Sequence, residues 1–327
     1  MSIIRWGILG PGNIAKKFAT GLAAVPDARL VAVGSRDAGR AKAFAHEFAA
    51  EKYYGSYEEL VADAEVDVVY VASPHSGHCE HTLLCLNAGK AVLCEKPFAI
   101  NEREALRMVE CARANNLFLM EAIWMRFMPV QTQVRKWIQQ GTIGEPRMVQ
   151  ADLGFRAPFQ PESRLLNPSL GGGSLLDVGI YPLAFTSMVF GEEPQAVTGY
   201  ADMGQTGVDE QAVMTLGYTR GRLAQLACGV RTRTSQAAWI YGTEGMIHLP
   251  EPFWHGTRAV LHPGEKTEVV FDHPHRANGY EYEAEEVGRC LRVGLKESPL
   301  MKLEETLWLD RTMDQLRVQW GLRYPME

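Results

Sequence analysis

Along 1–123, short apolar runs alternate with segments whose apolar residues recur at helical spacing. That alternation predicts βαβ units and a parallel sheet. Runs at 4–9, 30–34, 66–72, 91–94 and 118–121 predict strands. Segments 14–24, 38–48, 56–62, 78–88 and 102–115 predict the helices between them, with Asn101 as the N-cap of the last. After Trp124 the rhythm changes. A helical pattern at 130–140 leads to a strand pattern at 147–155, a Gly/Pro-rich stretch to Gly173, and a helical pattern at 174–190. Strand patterns follow at 197–203, 210–218, 223–232, 237–241, 246–249, 259–262 and 267–271. Thr219-Arg220-Gly221 and Thr243-Glu244-Gly245 supply turn signals between strands. Helical patterns at 282–295 and 304–321 close the chain. The expected fold class is α/β: a doubly wound parallel sheet over 1–123 and an α+β domain with an antiparallel sheet over 124–327.

Composition narrows the function classes. The net charge of −6 argues against a nucleic-acid partner, since such domains carry a basic excess. The six cysteines form no C-x-x-C pair, so reduced thiols of a cytoplasmic protein are expected. The N-terminus enters a strand pattern directly, without a basic segment followed by an apolar one, and secretion is not expected. No uninterrupted apolar run approaches the roughly 18 residues of a membrane span, so no membrane partner is expected.

Ile8-Leu9-Gly10-Pro11-Gly12-Asn13-Ile14-Ala15 follows the first strand and opens the first helix. This is G-x-G-x-x-A. Gly10 allows the tight turn, Gly12 lets a pyrophosphate approach the backbone, and Ala15 permits close helix–strand packing. Asn13 and Ile14 begin the helix whose N-terminus would receive the phosphates. A tight turn without a ligand is the alternative, and the strand before with the helix after disfavours it. The second strand ends in Gly34-Ser35-Arg36 rather than in an acid. Serine and arginine would bind a 2′-phosphate, which an acid would repel, so NADP is expected over NAD. Arg40 is a weaker candidate for the same phosphate, and Asp37 reads as the N-cap of the next helix.

Further candidates lie at later strand ends. Ser73-Pro74-His75-Ser76-Gly77-His78 follows the third strand pattern, with His81 and Cys79 close by. Their spacing alone does not make a zinc site and no partner cluster is visible, so no metal is expected. His75 and His78 are candidates for the nicotinamide or its ribose; a plain helix-start histidine is the other reading of His78. Glu95-Lys96-Pro97 follows the fourth strand pattern, where a charge is costly unless used or paired. Pro97 restrains Lys96 to an extended conformation and permits a cis bond. A surface lysine is the alternative. In Gly171-Gly172-Gly173-Ser174-Leu175-Leu176-Asp177-Val178-Gly179-Ile180-Tyr181-Pro182, Asp177 and Tyr181 stand i,i+4 on one helix face. Trp124, Arg126 and Phe127 fall at the expected domain junction and are candidates for a pocket edge. Trp254 is either a second aromatic wall or a core residue.

Taken together, the fingerprint, Glu95-Lys96-Pro97 and Gly172-Gly173…Asp177…Tyr181 resemble the glucose–fructose oxidoreductase / inositol dehydrogenase / rhizopine-catabolism family over nearly the whole chain. The runs 91–97, 118–127 and 295–299 are similar to its dihydrodiol dehydrogenase branch, which includes NADP-dependent D-xylose dehydrogenase activity. Many family members have histidine where Tyr181 stands; tyrosine is similar to this branch. The resemblance implies a Rossmann domain, a domain built on an open antiparallel sheet, and a homodimer formed through that sheet. It implies an NADP-dependent dehydrogenase acting on a sugar, polyol or cyclic dihydrodiol, with Lys96, Asp177 and Tyr181 catalytic and Glu95 near the cofactor. Tyr181 is then the acid/base and Lys96 the ammonium that stabilises its phenolate; the reverse assignment stays open. Two other readings remain: a non-catalytic NADP-binding sensor, and an oxidoreductase that holds NADP permanently.

Overall fold

A computed structural model describes residues 2–327. The chain forms two compact units: Met1–Phe127 with His275–Leu307, and Met128–Pro274 with Trp308–Glu327. In the first, strands β1 (Ile4–Leu9), β2 (Ala28–Gly34), β3 (Lys52–Tyr54), β4 (Val68–Val71), β5 (Ala91–Glu95) and β6 (Leu119–Ala122) make one sheet. Their order is β3-β2-β1-β4-β5-β6, and every pairing is parallel. Helices α1 (Asn13–Leu22), α2 (Ala38–Glu47), α3 (Tyr57–Ala62), α4 (His78–Asn87) and α5 (Glu102–Ala114) connect the strands. β4 and β5 are buried at every position, which explains their unbroken apolar runs: helices cover both faces of a parallel sheet. Asp37 and Asn101 cap α2 and α5 as expected, each accepting backbone N–H groups of the first turn.

The first unit is not a continuous stretch of chain. The sequence pattern puts the whole of 124–327 in one domain, but His275–Leu307 returns to the first unit. The cause is the helix α8 (Glu281–Arg292), which buries Ala284, Val287 and Cys290. At Gly21 of α1 an added Cβ would lie 2.8 Å from the Glu281 nitrogen, so only glycine admits that approach.

In the second unit, α6 (Pro129–Gln139) and α7 (Ile180–Phe190) accompany eight strands. These are β7 (Pro146–Gly154), β8 (Ala196–Met203), β9 (Asp209–Gly217), β10 (Leu223–Gly229), β11 (Ala238–Gly242), β12 (Met246–Leu249), β13 (Arg258–His262) and β14 (Val269–Asp272). Their order is β14-β13-β12-β11-β7-β10-β9-β8. The sheet is antiparallel as expected, except that β7 and β10 run parallel. α7 is buried almost all round, which marks a core helix. The stretch Pro168–Phe190, which ends in α7, is long and apolar enough to cross a membrane, and 94% of its 18-residue apolar window lies inside the protein. The closing helix α9 (Leu303–Trp320) sends Gln319 and Trp320 to edge strand β8. They bond the carbonyls of Val197 and Gly199 at 3.0 and 2.9 Å, which blunts the edge against pairing with another chain.

Candidate active site

In the first unit the strand order reverses between β1 and β4, and ligands of open α/β sheets bind at that reversal. Gly10, after β1, adopts φ +91°, and an added Cβ would stand 3.1 Å from the Ala72 carbonyl beyond β4. A side chain would be excluded both by conformation and by space. A Cβ at Gly12 would meet nothing within 4 Å, so the surface above it is open. Ala15 is fully buried, as close packing of α1 on the sheet requires. Asn13 is exposed and Ile14 half-buried at the start of α1, where the free N–H groups of the first turn lie. This is a cradle that fits a dinucleotide pyrophosphate. At the end of β2, Ser35 is buried, while Arg36 and Arg40 are exposed and enter no salt bridge among the described residues.

The exits of β4 and β5 are tied together by His78. Its ring nitrogens stand 2.7 Å from the Pro97 carbonyl oxygen and 2.9 Å from that of Ser73. Burial lowers its pKa to about 4, against the pull of the two carbonyls. The ring is therefore neutral near pH 7 and donates to one carbonyl at a time. This commits His78 to bracing the loops rather than presenting a nitrogen to a ligand. His75, also buried, packs edge-on against it at 5.7 Å. Among the described residues, no group of three or more His, Cys, Asp or Glu could hold a metal.

Lys96 is half-buried and precedes a cis bond to Pro97. The loop it occupies is fixed by two buried acids. Glu95 accepts the Lys96 N–H at 3.1 Å and the Tyr70 hydroxyl. Glu121, on β6, accepts the Phe98 N–H at 3.1 Å and the Thr306 hydroxyl at 3.0 Å. Burial pushes Glu121 up to about 8, with those two donors pulling back. A third acid, Glu283 on α8, is fully buried, and neither of its carboxylate oxygens has a hydrogen-bond partner among the described residues. Burial first, and the Glu95 charge second, raise it well above its ordinary 4.5. Two carboxylates in one apolar setting resist ionising together, and the charged form of Glu283 is disfavoured.

The native protein keeps a proton on Glu283 that the unfolded chain releases above 4.5, so stability falls as pH rises from there to the folded pKa. Glu283→Gln is expected to flatten the decline in Tm as pH rises above about 4.5. An unchanged slope in thermal melts would show Glu283 to be ionised in the fold.

Trp124 stacks on Tyr280 at 4.2 Å, and Phe127 is buried beside it in the chain. Arg126 is 3% exposed and pairs with Glu305, with a further bond to the Leu300 carbonyl at 3.3 Å. Its guanidinium therefore anchors the chain that returns to this unit.

In the second unit, the expected helix over 174–190 is divided. Leu175–Gly179 is a π-helical turn, closed by a bond from the Ile180 N–H to the Leu175 carbonyl, and α7 follows. Pro182 explains the change: it has no N–H to give the Val178 carbonyl, and its ring would crowd that carbonyl in an α-turn. Asp177 and Tyr181, spaced as the sequence indicates, are 3% and 6% exposed. Arg164, from the Gly/Pro-rich stretch, donates to Asp177 at 2.7 Å. The Tyr181 ring lies 5.7 Å from that of half-buried Trp254. The structure thus brings Trp254 to Tyr181, and adds Arg164, which sequence reasoning passed over.

Residues 4–123 match the model of an oxidoreductase family with an NAD-binding Rossmann fold, and 132–248 match the GFO/IDH/MocA C-terminal domain. The chain belongs to the GFO/IDH/MocA oxidoreductase family. Human trans-1,2-dihydrobenzene-1,2-diol dehydrogenase is 39% identical over 332 residues, covering 99% of each chain. Its Xenopus tropicalis counterpart is 39% identical and covers 98% of this chain and 99% of its own. Among solved structures, a 3-ketoreductase from Actinomadura kijaniata with NADP and TDP-benzene superposes with a TM-score of 0.86 and 27% identity, covering 97% of this chain and 98% of its own. An aldose-aldose oxidoreductase from Caulobacter crescentus shares the fold at a TM-score of 0.88, 24% identical over 96% of both chains. For this GFO/IDH/MocA member, the expected fold class and family resemblance are both borne out.

Buried acids escaped the sequence reading, among them Glu121, Glu283 and Asp209. Only Glu121 left a signal, as a lone acid in the run Leu119-Met120-Glu121-Ala122.

Proposed function

We propose that this family member is an NADP-dependent dehydrogenase of CH–OH groups, acting on an aldose sugar such as D-xylose or on a cyclic trans-dihydrodiol. The observation that carries the reading is a convergence on one sheet edge. The Gly10–Gly12 turn abuts the β4 exit, and His78 joins that exit to Lys96-Pro97. NADP, when bound, supplies the hydride acceptor or donor. Gly10, Gly12, Asn13 and Ile14 hold its pyrophosphate, and Glu95 and His75 border the nicotinamide end. Ser35, Arg36 and Arg40 select the 2′-phosphate, because both guanidinium groups are exposed and uncommitted to carboxylates.

The proton of the substrate hydroxyl goes to Tyr181. Lys96 supplies the positive charge that favours a phenolate, and Asp177, held by Arg164, orients a substrate hydroxyl. Trp124, Phe127 and Trp254 supply aromatic surface for a sugar or a diol ring. Two names support this reading: the dihydrodiol dehydrogenases that resemble the whole chain, and the 3-ketoreductase, of which variants altered at a lysine and at a tyrosine were also solved. The test is turnover by the purified protein with NADP or NAD across a panel of aldoses and trans-dihydrodiols. Reduction of NADP by a member of either class is expected. Tight NADP binding with no turnover across the panel would overturn the reading in favour of a sensor.

The working form is proposed to be a cytoplasmic homodimer. One face of the second unit's sheet presents Tyr200 beside Val213, which are 82% and 57% exposed and paired in register. Trp239, stacked on His248 at 3.9 Å, lies further along the sheet. An apolar patch of this kind fits a two-fold contact between copies. Val213→Asp is expected to shift the mass measured by light scattering from dimer to monomer. A wild-type monomer at micromolar concentration would sink the assignment.

A further inference from the structure

In the second unit, the segment carrying Asp177 and Tyr181 begins with three glycines, which have no side chains to fix their path. Other groups fix it. Asp209, the first residue of β9, is fully buried. Its Oδ2 accepts the Ser174 hydroxyl at 2.7 Å and the Leu175 N–H at 2.6 Å. Its Oδ1 has no hydrogen-bond partner among the described residues. Gly173, at φ +120°, passes so near that an added Cβ would overlap Oδ1. The Tyr324 hydroxyl donates to the Gly172 carbonyl at 2.6 Å. Tyr324 is itself held by Glu327, which accepts its N–H at 2.8 Å and pairs with Arg317.

We propose that Asp209 is a positioning residue for the reaction: its carboxylate fixes the π-helical turn that sets Asp177 and Tyr181, and taking up a proton loosens that turn. The inference rests on the catalytic roles proposed for those two residues.

As a carboxylate, Asp209 makes two charge-assisted bonds, about twice as strong as neutral ones. A protonated carboxyl accepts more weakly, and a proton on Oδ2 would compete with the two donors that the atom now holds. Burial pushes Asp209 up to about 6, with the Ser174 and Leu175 bonds pulling back. Among the described residues, no cation pairs with it. The turn offers it Ser174 and the Leu175 N–H, while the Asp177 carboxylate goes to Arg164. β10 offers Cys228, 3.4 Å from the Ser174 hydroxyl, whose thiol is pushed up to about 12 by burial and by Asp209. The C-terminal segment offers Tyr324, raised well above 10 by burial and by Asp209, with Arg317 and Glu327 behind it. β7, which also packs on the turn, buries Val149, Ala151 and Leu153. Glu210, next in the chain, pairs with Arg231. Every neighbouring group is thus neutral or already paired, and the charge on Asp209 decides the strength of the latch.

Two readouts test this. In the first, hydrogen exchange at the Leu175 amide is followed against pH and corrected for intrinsic rate. Its protection is expected to drop about 10-fold as pH falls through about 6. Asp209→Asn, which keeps the shape but cannot titrate, should give a flat profile. Ser174→Ala should weaken protection but keep the midpoint. In the second, the acid limb of kcat near pH 6 should vanish in Asp209→Asn while KM for NADP stays put. A wild-type Leu175 profile with no step between about pH 5 and about pH 8 overturns the proposal. So does an Asp209→Asn enzyme that keeps the wild-type limb. Should Asp209→Asn fail to fold, the wild-type and Ser174→Ala exchange profiles decide alone. Wild-type protein with no turnover would sink the dehydrogenase reading, and the exchange step would still judge the latch.

Discussion

Replacing Tyr181 with phenylalanine is expected to lower kcat by about 10²- to 10⁴-fold, the usual worth of a positioned acid/base. The change removes one oxygen. Tyr181 is 6% exposed and packs by its ring against Trp254, so phenylalanine keeps the packing and the fold. KM for NADP should move little, because the phenol is assigned to the proton and not to the cofactor. Lys96→Ala should cost a similar factor, by a different route. On the proposed roles, loss of the ammonium removes the charge that favours the phenolate, so the surviving activity should rise more steeply with pH. In Tyr181→Phe the rise due to the phenol should disappear instead. If Lys96 itself carries the proton, these two profiles exchange places. If either variant turns over within about threefold of wild type, the acid/base assignment fails.

The second large effect concerns the coenzyme. Arg36→Ala is expected to raise KM for NADP by about 10- to 100-fold and to leave KM for NAD nearly unchanged. The residue is exposed and uncommitted to any carboxylate, so its loss leaves no buried charge behind and the fold should be untouched. Because the contact is exposed, the discrimination should shrink as salt is raised. Arg36→Ala with Arg40→Ala should erase the preference. Equal weakening of NADP and NAD would mean that Arg36 supports the loop and does not read the 2′-phosphate.

Much of the first unit was legible because its central strands are buried on both faces and so are written as apolar runs. Five of its six strands stand where the runs predict them. β3, Lys52-Tyr53-Tyr54, was missed: a three-residue edge strand with no buried position carries no pattern. The strands of the second unit were legible by alternation, since α7 covers one face of that sheet. What could not be read was partnership. The amphipathic pattern of α8 says that one face is buried, not against which unit. The π-helical turn needs Pro182 and a helix around it, and either alone is ordinary. The buried acids are the clearest failure. Glu283 sits among Glu281, Glu285 and Glu286, and nothing in that string separates the carboxyl buried without a hydrogen-bond partner from Glu281 and Glu286, buried with partners, or from the more accessible Glu285. The catalytic candidates were legible for another reason: Glu95-Lys96-Pro97 and the glycine run are short, unusual strings that resemble a known family.

The return of His275–Leu307 to the first unit has a consequence for how the protein is made. A ribosome delivers residues 4–123, the whole nucleotide fingerprint, long before it delivers α8. Until then the flank of α1 at Gly21 and the pocket around Tyr70 and Glu95 lack the helix that closes them. The nascent first unit must therefore wait, with apolar surface showing, while the second is synthesised and folds. A stalled or cleaved chain ending near residue 123 should be a sticky, poorly cooperative fragment, although it contains every strand of its sheet.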